Sequence, residues 1–143
     1  GLNLPYYSAA VTSLTTIDPN EGMGAIAQKR ITECPIPVQV KTLSGENLSM
    51  PDASFDNVVC TWTLCSIPNV EKALREAYRV LKPGGRFFFI EHGLSNEPGC
   101  HLNRKIDELV RAAFDQIEVK EFYSADLPKV MGYFYQGVAA KRR

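Results

Sequence analysis

The residues best suited to chemistry stand where apolar runs stop. Asp18 follows the β-branched segment "VTSLTTI" and lies 17 residues after Gly1. A glycine-rich turn after one strand, and an acid ~20 residues later at the end of the next, is an arrangement that holds a nucleotide: the two carboxylate oxygens can accept both ribose hydroxyls. Asp18-Pro19-Asn20 is also an ordinary turn, and the spacing alone leaves both readings open. At a second place, "RFFFIEH", an apolar run ends on Glu91 and His92. An imidazole there could titrate near neutrality and take a proton from a reacting group. A histidine that orders the neighbouring loop by hydrogen bonds is the alternative. Glu91 reads as a pocket group or as support for one.

These residues need a frame, and the hydropathy pattern alternates strand and helix. "VTSLTTI", "PVQVKTL" (Val38 and Val40 on one side) and "FDNVVCT" read as strands. "MGAIAQKRITEC" reads as a helix with Met23, Ile26, Ala27 and Ile31 on one face. A second helix has Asn69 as N-cap and Glu71 in its first turn, with Val70, Ala73, Leu74, Ala77, Tyr78 and Leu81 inward. Pro83 ends it, and Gly84-Gly85 are expected to supply a turn with positive φ. "RFFFIE" is then expected as a strand buried on both faces. "NRKIDELVRAA" reads as a third helix. "IEVKEFY" and "MGYFYQGVAA" follow with no helix between them, so they are expected to pair antiparallel. The implied fold class is α/β: a doubly wound, mostly parallel sheet with a C-terminal antiparallel strand pair.

Composition narrows the function. Lys plus Arg and Asp plus Glu are 16 each, for a formal net charge of zero. A nucleic-acid binder working through a basic face is therefore not expected. The four cysteines, Cys34, Cys60, Cys65 and Cys100, form no C-x-x-C pair, and there are two histidines. No metal site is expected, and reduced thiols in the cytoplasm are the default. Cys60 reads as a small buried filler, and nothing marks Cys65 as a nucleophile. No apolar run reaches the ~20 residues that span a bilayer.

"ENLSMPDASFDNVVCTWTLCSIPNVEKALREAYRVLKPGGRFFFIEH" resembles the class I S-adenosylmethionine-dependent methyltransferases. Within them the chain is similar to the ubiquinone/menaquinone-biosynthesis type. "VVCTWTLCSIPN", "EHGLS" and "GCHLNR" are similar to a branch that holds thiol methyltransferases and bacterial phospholipid N-methyltransferases. The resemblance implies a Rossmann-like fold, one methyltransferase domain over residues 1–143, and methyl transfer from S-adenosyl-L-methionine to a small-molecule acceptor, leaving S-adenosyl-L-homocysteine. The acceptor is expected to be a thiol, a quinol precursor or an amine. No nucleic-acid partner is implied; membrane association through a segment before Gly1 stays open, as does the oligomeric state.

By the same resemblance, Gly1 is the last glycine of the cofactor loop and lies against the aminoacyl part. A first strand and most of that loop are then expected upstream, in a longer protein. A gap is expected near residues 98–99, and relatives usually carry a glycine between Ala113 and Phe114. Asp18 is expected to hold the ribose hydroxyls, with Pro19, Asn20 and Met23 flanking the adenine. Ser44, Gly45 and Glu46 follow the strand from which the family reads the adenine edge. The family often has an aspartate where Ser44 stands, so contacts there are expected from the backbone. Thr61 and Trp62 are expected under the sulfonium, with Trp62 either walling the transfer pocket or packing the core. His92 is the candidate base. Two alternatives stand beside this reading: an NAD(P)-dependent Rossmann oxidoreductase, and a non-catalytic cofactor-binding relative.

Overall fold

The computed structural model describes residues 2–93, 104–125, 127 and 132–143, with only the backbone described at Met23 and Gly24. The expected gap near residues 98–99, and Gly1 itself, lie outside these residues. The chain forms two compact units, Gly1–Leu48 and Ser49–Arg143.

The first unit holds a short 3₁₀ turn, Leu4–Tyr6, then strand β1 (Leu14–Ile17), helix α1 (Glu21–Glu33) and strand β2 (Val38–Lys41). β1 and β2 pair in parallel, Leu14 opposite Val38 and Ile17 opposite Lys41. Parallel neighbours need a crossover, which α1 supplies. Its N-cap is Asn20, whose Oδ1 accepts the Gly22 N–H at 2.9 Å. On the expected inward faces Ile26 is 67% exposed and Val40 46%.

The second unit contains β3 (Phe55–Thr61), α2 (Val70–Val80), β4 (Leu81–His92), α3 (Ile106–Ala113), β5 (Gln116–Tyr123) and β6 (Tyr133–Ala140). The sheet order is β3-β4-β6-β5. β3 and β4 are parallel; β6 runs antiparallel to β4 on one side and to β5 on the other. The antiparallel terminal pair is as the sequence predicts.

β4 starts earlier than expected. Leu81 already pairs with Phe55, residues 82–85 bulge out, and pairing resumes with Arg86 opposite Asn57. Of the two glycines only Gly84 has positive φ, at 76°. Gly85 is needed for a different reason: a Cβ there would lie 2.8 Å from the Lys82 carbonyl oxygen and 3.0 Å from that of Asp56.

α2 starts as the sequence suggests, with Asn69 Oδ1 accepting the Lys72 N–H at 3.0 Å. It buries Val70, Ala73, Leu74, Ala77 and Val80. Tyr78 is only half-buried, its hydroxyl donating to Asp115 at 2.8 Å. Residues of α2 and α3 form one core with Phe87, Phe89, Tyr135 and Ala139. "RFFFIE" is thus buried on one face only: Phe87, Phe89 and Glu91 are buried, while Phe88, Ile90 and His92 on the other face are half-buried. Period-two alternation along a strand explains the split.

Gly85→Val should therefore lower stability by ~1–3 kcal/mol, the scale of forced overpacking. Urea denaturation checks this; an unchanged midpoint would mean that the bulge has room to relax.

Candidate functional site

Ligands of open α/β sheets lie beyond the carboxyl ends of the parallel strands. In the second unit that end is formed by Thr61 and Trp62 after β3 and by Glu91 and His92 in β4. Thr61 pairs with Ile90, and the Trp62 N–H donates to the Ile90 carbonyl at 3.0 Å. Trp62 then turns into the left-handed region, φ 53°, with its side chain 56% exposed. A bulky side chain in that region costs on the order of 1–3 kcal/mol and needs a compensating contact.

Glu91 provides it. After a left-handed residue, successive N–H groups converge and form a concavity for an anion. The Glu91 carboxylate fills it: Oε2 accepts from Thr63 N at 2.9 Å and from Leu64 N at 3.1 Å, and Oε1 from Thr63 N at 3.1 Å. The Cys60 thiol donates to Oε1 at 3.3 Å. Glu91 has no solvent exposure. Burial raises its pKa from 4.5 to about 7, against the opposing pull of the Thr63 N–H, the Cys60 thiol and the N–H groups of Leu64 and Cys65. Burial, and next the Glu91 charge, push the Cys60 thiol well above its usual range, so it stays protonated and donates. From the other side Arg104 grips the same loop, its guanidinium donating to the carbonyls of Leu64 at 2.5 Å, Ile67 at 2.7 Å and Pro68 at 3.2 Å.

His92, next in the strand, points to the opposite face. Its ring lies 4.9 Å from that of Trp62 and 4.5 Å, edge-on, from that of Phe134 in β6. Its Nε2 is buried without a hydrogen-bond partner among the described residues, and burial lowers its pKa below 6.5. The imidazole is thus neutral at neutral pH. Of the residues singled out from sequence, Thr61, Trp62 and His92 meet here. Arg104 and Phe134 were not singled out. Phe134 gave no signal, and Arg104 sits 36 residues from its nearest partner in sequence, Pro68.

In the first unit, Asp18, Pro19 and Asn20 follow β1 and are exposed. Asp18 Oδ1 accepts the Asn20 N–H at 2.8 Å, which fixes the carboxylate at the strand end. Ser44, Gly45 and Glu46 form a turn after β2, with the Ser44 hydroxyl accepting the Glu46 N–H at 3.2 Å. The expected roles of Gly1 and the Met23 side chain lie outside the described residues. Among the described residues no cluster of His, Cys, Asp and Glu could hold a metal ion. No helix among them is long and apolar enough to cross a membrane.

The architecture is a Rossmann-like α/β fold. It is shared with the solved structure of a SAM-dependent methyltransferase from Methanosarcina mazei, with a TM-score of 0.69 at 21% identity, over 91% of this chain and 82% of that one. The methyltransferase-domain family matches residues 1–89, and this chain belongs to that family. The human thiol S-methyltransferase TMT1A is 42% identical across 93% of this chain and 66% of its own. A ubiquinone/menaquinone biosynthesis C-methyltransferase of Methylobacterium nodulans is 37% identical across 62% of this chain and 35% of its own. The chain thus spans just under two thirds of the human relative and about a third of the bacterial one. Membership of this family sets aside the oxidoreductase alternative.

Burial of Glu91 has a consequence for stability. Its folded pKa lies above the ordinary value, so the native state binds the proton more tightly than the unfolded chain does. Stability from this group is greatest below pH 4.5 and falls as pH rises towards about 7. At ~1.4 kcal/mol per pH unit the loss is about 3 kcal/mol. Glu91→Gln should remove that fall, so wild type and variant should differ most above pH 7; urea titrations at pH 5 and pH 8 measure it.

Proposed function

We propose that this protein transfers a methyl group from S-adenosyl-L-methionine to a small thiol. The observation that carries the acceptor is the 42% identity to a thiol S-methyltransferase over 93% of this chain. A quinol precursor is the second reading, favoured by the relatives in quinone biosynthesis. We read both units as parts of one methyltransferase domain, since the family match at 1–89 runs through the boundary between them.

The residues suit the cofactor. Asp18 presents a carboxylate at a strand end, the pair of acceptors that ribose hydroxyls call for. In the turn after β2, the Glu46 N–H is spent on the Ser44 hydroxyl, which leaves the Gly45 backbone as the contact offered to an adenine edge. Thr61 and Trp62 stand where the family places the reacting end. Bound S-adenosylmethionine supplies a methyl group on a sulfonium, a leaving group already activated by its charge.

The chain then has three tasks. It aligns the acceptor for in-line attack, excludes water, and takes the proton that a thiol sheds. Trp62 offers an aromatic wall for the first two. His92 suits the third: it is neutral at neutral pH, and its Nε2 has no competing partner among the described residues. Among the described residues Cys34, Cys60 and Cys65 form no disulfide, which suits a reducing, cytoplasmic setting.

Asp18→Ala should weaken S-adenosylmethionine binding by ~1.5–3 kcal/mol, the worth of hydrogen bonds to a charged group. Calorimetry on folded protein reads this; unchanged affinity takes Asp18 out of the ribose role. His92→Asn should slow single-turnover methylation of a protonated thiol by ~10²–10⁴ and leave a preformed thiolate nearly untouched. Equal rates with both kinds of acceptor would reduce His92 to a packing residue, and no transfer to any thiol would overturn the acceptor reading.

A further inference from the structure

Among the described residues Glu91 is the one buried charged side chain, and the proton-transfer chemistry makes no use of it. It lies on the core face of β4, with no solvent exposure, on the opposite side of the strand from His92. It cannot touch an acceptor. What it touches is the backbone at residues 63 and 64, the two residues that follow left-handed Trp62. Two N–H groups, of Thr63 and Leu64, make three contacts at 2.9–3.1 Å with the two carboxylate oxygens. In the ionised form all of them are charge-assisted. A proton on Oε1 would oppose its contact with the Thr63 N–H and remove the charge that strengthens the two bonds to Oε2.

We propose that Glu91 is a positioning residue: its carboxylate holds the turn at residues 62–65 in the form that presents Trp62 beside His92, and loss of its charge releases Trp62 and slows methyl transfer. The part of this concerning rate rests on the methyltransferase reading; the part concerning Trp62 does not. Arg104 holds the far side of the turn by its carbonyls. The loop is thereby gripped by an anion at its N–H groups and by a cation at its C=O groups.

Burial places the Glu91 transition near neutrality, about 7. The groups facing it do not titrate in its place. On β3 the Cys60 thiol is pushed upward, away from neutrality. In the loop Cys65 is buried, with its Sγ 3.6 Å from the Ser66 hydroxyl. On β6 the cross-strand neighbour Tyr135 is raised above 10, by burial first and then by Asp107 of α3, Glu121 of β5 and Glu108 of α3. His92, on the other face, titrates below 6.5. The variants Glu91→Gln and His92→Asn tell the two transitions apart.

The test uses a property of the sequence: Trp62 is the only tryptophan among these 143 residues. In the full-length protein its emission, isolated as the difference from Trp62→Phe, reports the turn with or without catalysis. Wild type should show an emission change with a midpoint near pH 7, and a second, lower one from protonation of the adjacent imidazole. Glu91→Gln, close in shape but unable to accept at both positions, should abolish the upper transition. His92→Asn should abolish the lower one and keep the upper. With S-adenosylmethionine and 2-mercaptoethanol as probes, wild-type turnover should rise with pH through the same upper midpoint. Glu91→Gln should lose about ten- to a hundredfold in kcat and flatten that rise, with cofactor affinity unchanged. If wild-type emission is flat around pH 7, if Glu91→Gln titrates like wild type, or if His92→Asn removes the upper transition, the proposal fails. If 2-mercaptoethanol is not methylated but the emission transitions behave as stated, the thiol reading fails and the clamp on Trp62 stands.

Discussion

The strand β4 is committed on both edges, and much of the second unit follows from that. Residues 86–90 pair in parallel with β3 on one side and antiparallel with β6 on the other. No slip is possible without breaking two ladders, and a slip of one residue would turn every side chain over. The register therefore sends Phe87 and Phe89 into the core, and the next residue on that face is Glu91. An acid is buried because the strand leaves it nowhere else to go. It must then be met by donors, and the chain supplies them by bending back after Thr61.

Two unfavourable features offset each other at this point. A tryptophan in the left-handed region is strained, and a carboxylate without water is poorly solvated. The left-handed turn creates the N–H concavity that solvates the carboxylate, and the carboxylate holds the turn against its strain. Neither would persist without the other. The product of the pair is an exposed aromatic ring held next to a neutral imidazole.

Much of this was legible in the residues. The period of α2, its Asn69 cap and the antiparallel pairing of the last two strands could be read because local patterns decide them. The breadth of burial could not. "RFFFIE" reads as doubly buried, yet Phe88 and Ile90 are half-exposed, since α2 and α3 pack on the other face. Ile26 makes a related point: helical period marks a face but not whether anything covers it. At the candidate site, strand ends pointed to Asp18, Trp62 and His92. The role of Glu91 had one available signal, its place in register with Phe87 and Phe89, which forces an acid into the core. Arg104 had none, because its partners are carbonyls, which every residue carries.

The sheet order has a consequence for how the unit is assembled. β6 lies between β4 and β5, although β5 comes earlier in the chain. β5 therefore has no edge to join until β6 has been made and has docked on β4. Until then it is an unpaired strand with alternating apolar residues, a template for pairing with another molecule. The residue that follows β6 completes helix α2 as well: Lys141 Nζ donates to the carbonyls of Tyr78 and Leu81 at 3.0 and 2.8 Å and lies over the Tyr78 ring. The sheet edge and the helix end are thus closed together, and only once the chain has passed β5.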